Sequence, residues 1–450
     1  MTDRAIRARH VHRQTIGRGR RARMLLLAGI VLIGLPTFTP ANAQTTPPDR
    51  GIQLQQQRLR RNPYDAPSYY RLGDAYIQKA RETGDMSYFD LAERALLKSV
   101  EIAPQSAGAI RHLAYVSSAR HDFEQALERA RHALELDPSD SDALGVEGDA
   151  LLELGRYDEA EAAYRRMMQI RPDLASYSRR SGLEFLRGDT EGSIDDLRRA
   201  IDAGAADGQP RESIAWAQWQ LGVERFAGGD LDGAETSYRD ALATYPGYHR
   251  PFAGLGHVRA AQGRYAEAID FYRRAVAVIP LPEYATALGD VYLKLGQAVD
   301  ARQQYQLVEY IGRLSALNRV LYNRELAYFY ADHGLEPTEA LELARREIEV
   351  RKDIYGYDAL AWALYANGLV TGALAPMKQA LRLGTRDARL FFHAGMIYYR
   401  LGHRALAVQY LERALATNPS FHVLQADIAR ATLRLLRSSA PGMRAEDRDD

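Results

Sequence analysis

The sequence predicts an all-α solenoid, in which antiparallel helix hairpins stack one after another along the chain. Three observations predict it. Turn residues recur at a fixed step: Pro104, Pro138 and Pro172 lie 34 residues apart, as do Pro246 and Pro280, Gly222 and Gly256, and the series Gly334, Gly368 and Gly402. Apolar positions on either side of each mid-period glycine recur at three- and four-residue steps, which is helical spacing. The period also fills nearly all of the chain after its first sixty residues, and a fixed period of this size is the signature of a repeat array.

The N-terminus comes first and reads as an address. Residues 1–43 carry eight arginines against Asp3, net +7, which leaves −6 for the remainder of a 450-residue chain of formal charge +1. The apolar run Met24–Leu35 follows, then Pro36 and the small-residue site Ala41-Asn42-Ala43. A basic stretch, a short apolar core and an A-x-A site make a secretory signal peptide over 1–43. The run is too short to span a bilayer core, which takes about 20 residues. An uncleaved anchor is the alternative, and Arg20-Arg21 allows twin-arginine export as a further route. Residues 44–58 lack an apolar period, and 44–65 are expected to form a flexible linker, with the start of a helix near the end of the 44–58 stretch.

From residue 66 the same grammar repeats. One period reads Leu255-Gly256, Gly263-Arg264-Tyr265, Ala268, Tyr272, Ala275 and Pro280; another reads Gly148, Gly155-Arg156-Tyr157, Ala160, Tyr164, Met167 and Pro172. The mid-period glycine supplies a left-handed helix cap that reverses the chain. Proline past the second helix forbids its continuation. Gly256 and Ala268 are small because two helix backbones cross there, and Tyr272 fills the wedge beside the crossing. The step from Pro172 to Pro246 is two periods plus six residues, so 202–213 reads as an insertion.

This pattern resembles the tetratricopeptide repeat family. Ten units are expected over 66–420, beginning near Ala66, Ala107, Ser141, Ala175, Ala215, His249, Pro282, Val320, Ile354 and Ala388. Several depart from the pattern: extra residues near Glu82–Tyr88, His121 at a turn-glycine position, an irregular stretch Ile311–Arg319, and Glu347 at a small-residue position. Residues 421–437 read as an amphipathic capping helix over the last hairpin, and 438–450 as a disordered tail. The resemblance implies a right-handed superhelix with first helices lining a concave groove. It further implies that the groove positions hold Asp149 and Arg179, then Trp216, Trp219 and Phe226, then Arg324 and Tyr328, Tyr355, Trp362 and Tyr365, and Phe392 and Tyr399. These last ten form the expected partner-binding groove, the cluster around Trp362 and Phe392 being its centre. Aromatic and arginine side chains carry most interface energy. The alternative is that the rings merely fill space between neighbouring first helices. No unit has the lysine–asparagine pair by which some family members clasp acidic chaperone tails.

Little points to chemistry. There is no cysteine, hence no disulfide, thiolate metal site or cysteine nucleophile. No H-E-x-x-H, P-loop or G-x-S-x-G stands in a suitable context. No histidine pair sits three or four residues apart on a helix in the way a metal-binding pair would, so no metal and no cofactor are expected. The mildly acidic body, with arginine pairs interleaved with carboxylates, lacks the unbalanced basic stripe of a nucleic-acid binder. The expectation is therefore a periplasmic, non-catalytic adaptor of the bacterial cell envelope that binds a protein partner. The alternative is a carbohydrate or small-ligand binder using the same aromatics.

Overall fold

A computed structural model describes residues 47–317 and 323–438. The signal segment, residues 44–46 of the expected linker, Val320 and the tail beyond Ser438 lie outside the described residues. Among those described, every regular element is a helix and none is a strand.

Helix α1 (Pro47–Arg61) precedes ten hairpins. The first five pair α2 (Ala66–Thr83) with α3 (Ser87–Ile102), α4 (Ala107–Ala119) with α5 (Phe123–Leu136), α6 (Ser141–Glu153) with α7 (Tyr157–Ile170), α8 (Leu174–Leu186) with α9 (Thr190–Ala206), and α10 (Arg211–Ala227) with α11 (Leu231–Thr244). The other five pair α12 (His249–Ala261) with α13 (Tyr265–Val278), α14 (Pro282–Lys294) with α15 (Ala298–Leu317), α16 (Asn323–His333) with α17 (Pro337–Val350), α18 (Ile354–Ala366) with α19 (Val370–Ala380), and α20 (Ala388–Arg400) with α21 (Arg404–Thr417). Helix α22 (Gln425–Ser438) ends the described chain. Each hairpin packs on the next in chain order, which makes a superhelical solenoid.

The grammar of the sequence becomes local structure directly. Gly155, Gly263 and Gly402 occupy the left-handed region at φ 74°, 74° and 76°, where a side chain is disfavoured. Tyr272 lies flat against Gly256: a Cβ there would sit 2.6 Å from the ring. Ala268 across the hairpin is fully buried.

Three expectations need correction and one is given its form. The linker is ordered over α1, which packs on α2 through Asp49–Lys79 at 2.9 Å and Gln56 donating to Tyr76 Oη at 3.1 Å. Gln55 occupies the buried position between Ile52 and Leu59, and that polar residue hides the apolar period. The expected insertion at 202–213 is built as helix: α9 and α10 each run to 17 residues and absorb most of the excess. The stretch expected to be irregular from Ile311 continues α15 as far as Leu317. The helix expected over 421–437 begins at Gln425, after a turn at Phe421–Leu424.

The coil also closes on itself along a seam. The hydroxyl of Tyr157 accepts from the Ile354 N–H at 2.9 Å, and the Lys352 N–H donates to the Glu153 carbonyl at 2.9 Å. Thr385 donates to the Leu186 carbonyl, and Asn418 Nδ2 to the Phe226 carbonyl at 2.6 Å. These side-chain partners are 197, 199 and 192 residues apart, so the edge of one superhelical turn rests on the edge of the next.

Candidate functional site: the axial lumen

First helices point their inner faces at the coil axis, and the seam converts the groove they form into a lumen. The lumen holds a cavity of about 1410 Å³, lined chiefly by α2, α4, α6, α8, α10, α12 and α14 of the first seven units, with α3, α7, Glu325 of α16 and Arg351 also reaching it. Its walls are polar and apolar in about equal measure, and salt bridges between neighbouring helices pin them. Arg179 on α8 grips Asp149 on α6 at 2.9 Å, and the same carboxylate accepts from Tyr164 at 2.9 Å. Arg111 meets Asp140 at 3.1 Å. Arg81 at the end of α2 reaches Glu212 on α10 at 2.8 Å and so ties the first unit to the fifth.

Trp216, partly exposed, lines this cavity, and its ring lies 6.4 Å from Trp219. Arg250 lies over the Trp219 ring at 4.7 Å, a cation–π placement in a partly desolvated wall. Glu283 faces the same space. Burial pushes its carboxyl up to about 7, and the charge of Glu325 adds to the rise. Burial likewise lowers His249 to about 3, with help from Arg250.

The far end of the lumen is filled. The structure places Tyr328, Trp362 and Phe392 in the core, so the expected exposed stripe on units eight to ten is corrected. Trp362 is sandwiched between Tyr365, 4.5 Å away, and His393, 4.1 Å away, and its Nε1 donates to Asp332 at 2.6 Å. Tyr328 donates to Asp358 at 2.7 Å, and His393 Nδ1 lies 2.9 Å from the same carboxylate. Arg324 is held by Glu347 at 3.0 Å and Asp353 at 2.7 Å; Tyr355 donates to Asp387 at 3.2 Å. Tyr399 is half-buried, and Phe226, also half-buried, packs against His257. The physical reason is the tightness of the coil. The rings pack between neighbouring first helices, Trp362 and Tyr365 on α18 against Phe392 and His393 on α20, as the space-filling alternative has it. Of the ten expected residues, Trp216 alone lines the cavity. Arg250 and Glu283, which do reach it, are the second residues of their units, a groove-facing position that could have singled them out.

Two histidines are locked in opposite states by their partners. His121 Nε2 lies 2.6 Å from Arg351 Nη2, and a guanidinium can only donate, so His121 accepts and is neutral. Burial, then the charges of Arg351 and Arg324, lower it to about 3. His333 faces the Phe329 carbonyl through Nδ1 and Asp290 through Nε2, each at 2.7 Å, so both nitrogens donate. Burial opposes that charge, but Asp290 outweighs it and raises the imidazole. Linkage follows in sign: the His333 contribution is full below about pH 6.5 and is lost as pH rises through its raised value. An imaging-free check is a heteronuclear NMR titration of the imidazoles. His333 should titrate above pH 6.5, while His121 stays neutral down to about pH 4, above its value of about 3. Coincident titration of the two near pH 6.5 would contradict the geometry.

Among the described residues no group of three or more His, Cys, Asp or Glu could hold a metal ion, and no helix is long and apolar enough to cross a membrane.

Comparison with known proteins gives the following. Models of the family described as "Tetratricopeptide repeat" match residues 113–175, 225–291 and 388–421. Tetratricopeptide repeat protein 37 of Xenopus laevis is 28% identical over 251 residues, covering 54% of this chain and 15% of that protein. Superkiller protein 3 of Schizosaccharomyces pombe (strain 972) is 23% identical over 215 residues, covering 48% of this chain and 13% of that one. The matched segment is thus a small part of either relative. The crystal structure of PilW, a type IV pilus biogenesis factor, aligns with a TM-score of 0.38 at 21% identity, covering 47% of this chain and 92% of PilW. Repeats of this family are in general non-catalytic scaffolds that bind other proteins.

Proposed function

Because the chain is a tetratricopeptide-repeat protein, we propose that it is an exported, non-catalytic adaptor of the bacterial envelope that holds an extended segment of a partner protein in the lumen of units one to seven. The observation that carries the reading is the roughly 1410 Å³ cavity, bordered by the partly exposed Trp216. An extended segment passing along it would meet alternating carboxylates and guanidinium groups already fixed by their pairings. Fixed polar groups bind with little loss of side-chain freedom, which favours affinity. The exported location rests on the N-terminal signal pattern alone.

The test is site-specific photocrosslinking from position 216 in the native cell, with position 310 on the outer face as control, since Tyr310 is 53% exposed. Adducts from 216 and not from 310, lost on Arg250→Glu, support the reading. Equal labelling from both positions would retire the lumen as the partner site. Retention of the purified protein on a glycan affinity gel, abolished by Trp216→Ala, would instead favour sugar stacking.

A further inference from the structure

The filled end of the lumen contains a segment of the chain itself. Helix α22 continues the stack beyond α20 and α21, as a cap would, but its side chains also cross the axis to the opposite wall. His422 in the lead-in turn lies 3.3 Å from Asp290 on α14. Gln425 Nε2 donates to Asp332 on α16 at 2.7 Å, sharing that carboxylate with the Trp362 indole. Asp427 pairs with Lys294 at the end of α14. Phe421 lies 5.6 Å from the Phe392 ring, and Ala426, Ala429, Leu433 and Leu436 are buried beneath the helix.

We propose that Phe421–Ser438 is a tethered occupant of the channel of units seven to ten, and that its release opens a second docking surface for an amphipathic helix of a partner. The partner it fits follows from what the occupant supplies. It would carry an apolar stripe at three- and four-residue steps to cover Phe392 and Met396, and neutral or cationic donors in its first turn to reach Asp290 and Asp332. A carboxylate at those positions would be repelled. Two features make the occupant releasable. Among the described residues no helix follows it, and its outer side leaves Ile428 and Leu435 exposed. Its ties across the axis are single polar pairs, two of them solvent-accessible: His422 is 26% exposed and Asp427 53%. Terminal elements with few buried apolar residues open at lower free energy than the body of the fold. The proposal stands whether or not Trp216 touches a partner, because it concerns the other end of the lumen.

Hydrogen–deuterium exchange on the full chain tests it, together with a fluorescent synthetic peptide of residues 421–438. In the wild type, amides of α22 should exchange at least about ten-fold faster than those of α20 and α21. The double substitution His422→Ala/Gln425→Ala removes the Gln425 hydrogen bond to Asp332 and the 3.3 Å contact of His422 with Asp290. It should speed α22 by a further factor of about ten or more while α20 and α21 stay unchanged. The peptide should then bind the double variant and bind the wild type at least about ten-fold more weakly. Exchange of α22 in step with α20 and α21 in both proteins would overturn the proposal. So would failure of the peptide to bind a variant whose α22 exchanges rapidly.

Discussion

Tyr238→Ala is expected to destabilise the middle of the solenoid by about 3–5 kcal/mol, the range for removing a large buried aromatic ring. Tyr238 is 2% exposed and stands where units five and six join. Its ring is flanked by two glycines from two successive first helices: a Cβ on Gly222 or on Gly254 would lie 2.5 Å from it. Nothing on either side can move in to fill the gap, because neither glycine has a side chain and both helix backbones are fixed by the hairpins on either side. The cost therefore approaches the upper end of the range. Trp216 and Trp219 lie on α10, against the same junction, so urea unfolding followed by tryptophan fluorescence reads it directly. A shift below about 1 kcal/mol would mean that the ring does not wedge the junction.

The second large effect is expected at Asp358. Its carboxylate is fully buried, accepts from Tyr328 and faces the fully buried His393 at 2.9 Å. Asp358→Ala leaves the His393 imidazole without its partner in the core and the Tyr328 hydroxyl with the Tyr355 carbonyl alone, and breaking a buried pair in this way costs about 3–5 kcal/mol. Because Tyr328, Asp358 and His393 lie on α16, α18 and α20, three successive units lose a shared anchor. Thermal unfolding followed by circular dichroism should show the C-terminal units melting first. Asp358→Asn keeps an acceptor for Tyr328 and should recover part of the loss, which separates hydrogen bonding from charge. By the same logic, joint replacement of Trp362 and Phe392 acts on stability before it acts on any partner.

Much of this architecture is legible in the chain. The helices beginning at Ala66, Ala107, Ser141, His249, Pro282, Ile354 and Ala388 start at the residues where the repeat grammar puts them. The reason is local: left-handed glycines, stop prolines and ring-against-glycine crossings act within one hairpin. What sequence could not supply is the relation between turns of the coil. Period and amphipathicity state which helix face is inward, but not how tightly the coil winds. Winding decides whether Phe392 lines a groove or fills a core. The seam is invisible for a related reason. It is made largely of backbone carbonyls at Glu153, Leu186 and Phe226, and these carry no pattern. One signal was available. His121 stands where the repeat has a glycine, and it holds φ at 62°, a conformation a histidine adopts at a cost. That cost is offset by a contact with Arg351, 230 residues away. A residue that breaks the local rule marked the long-range contact.

The central claim is that the coil is closed along its seam, so that a partner meets a lumen and not an open groove. The chain has no cysteine, so spin labels can be placed singly at will. Double electron–electron resonance between labels at Arg156 and Lys352, beside the Glu153–Lys352 backbone bond, measures the closure directly. The account predicts one short, narrow distance distribution, broadened by His121→Gly as the tie to Arg351 is lost. A long or broad distribution in the wild-type background would mean that the turns part freely in solution, and would contradict it.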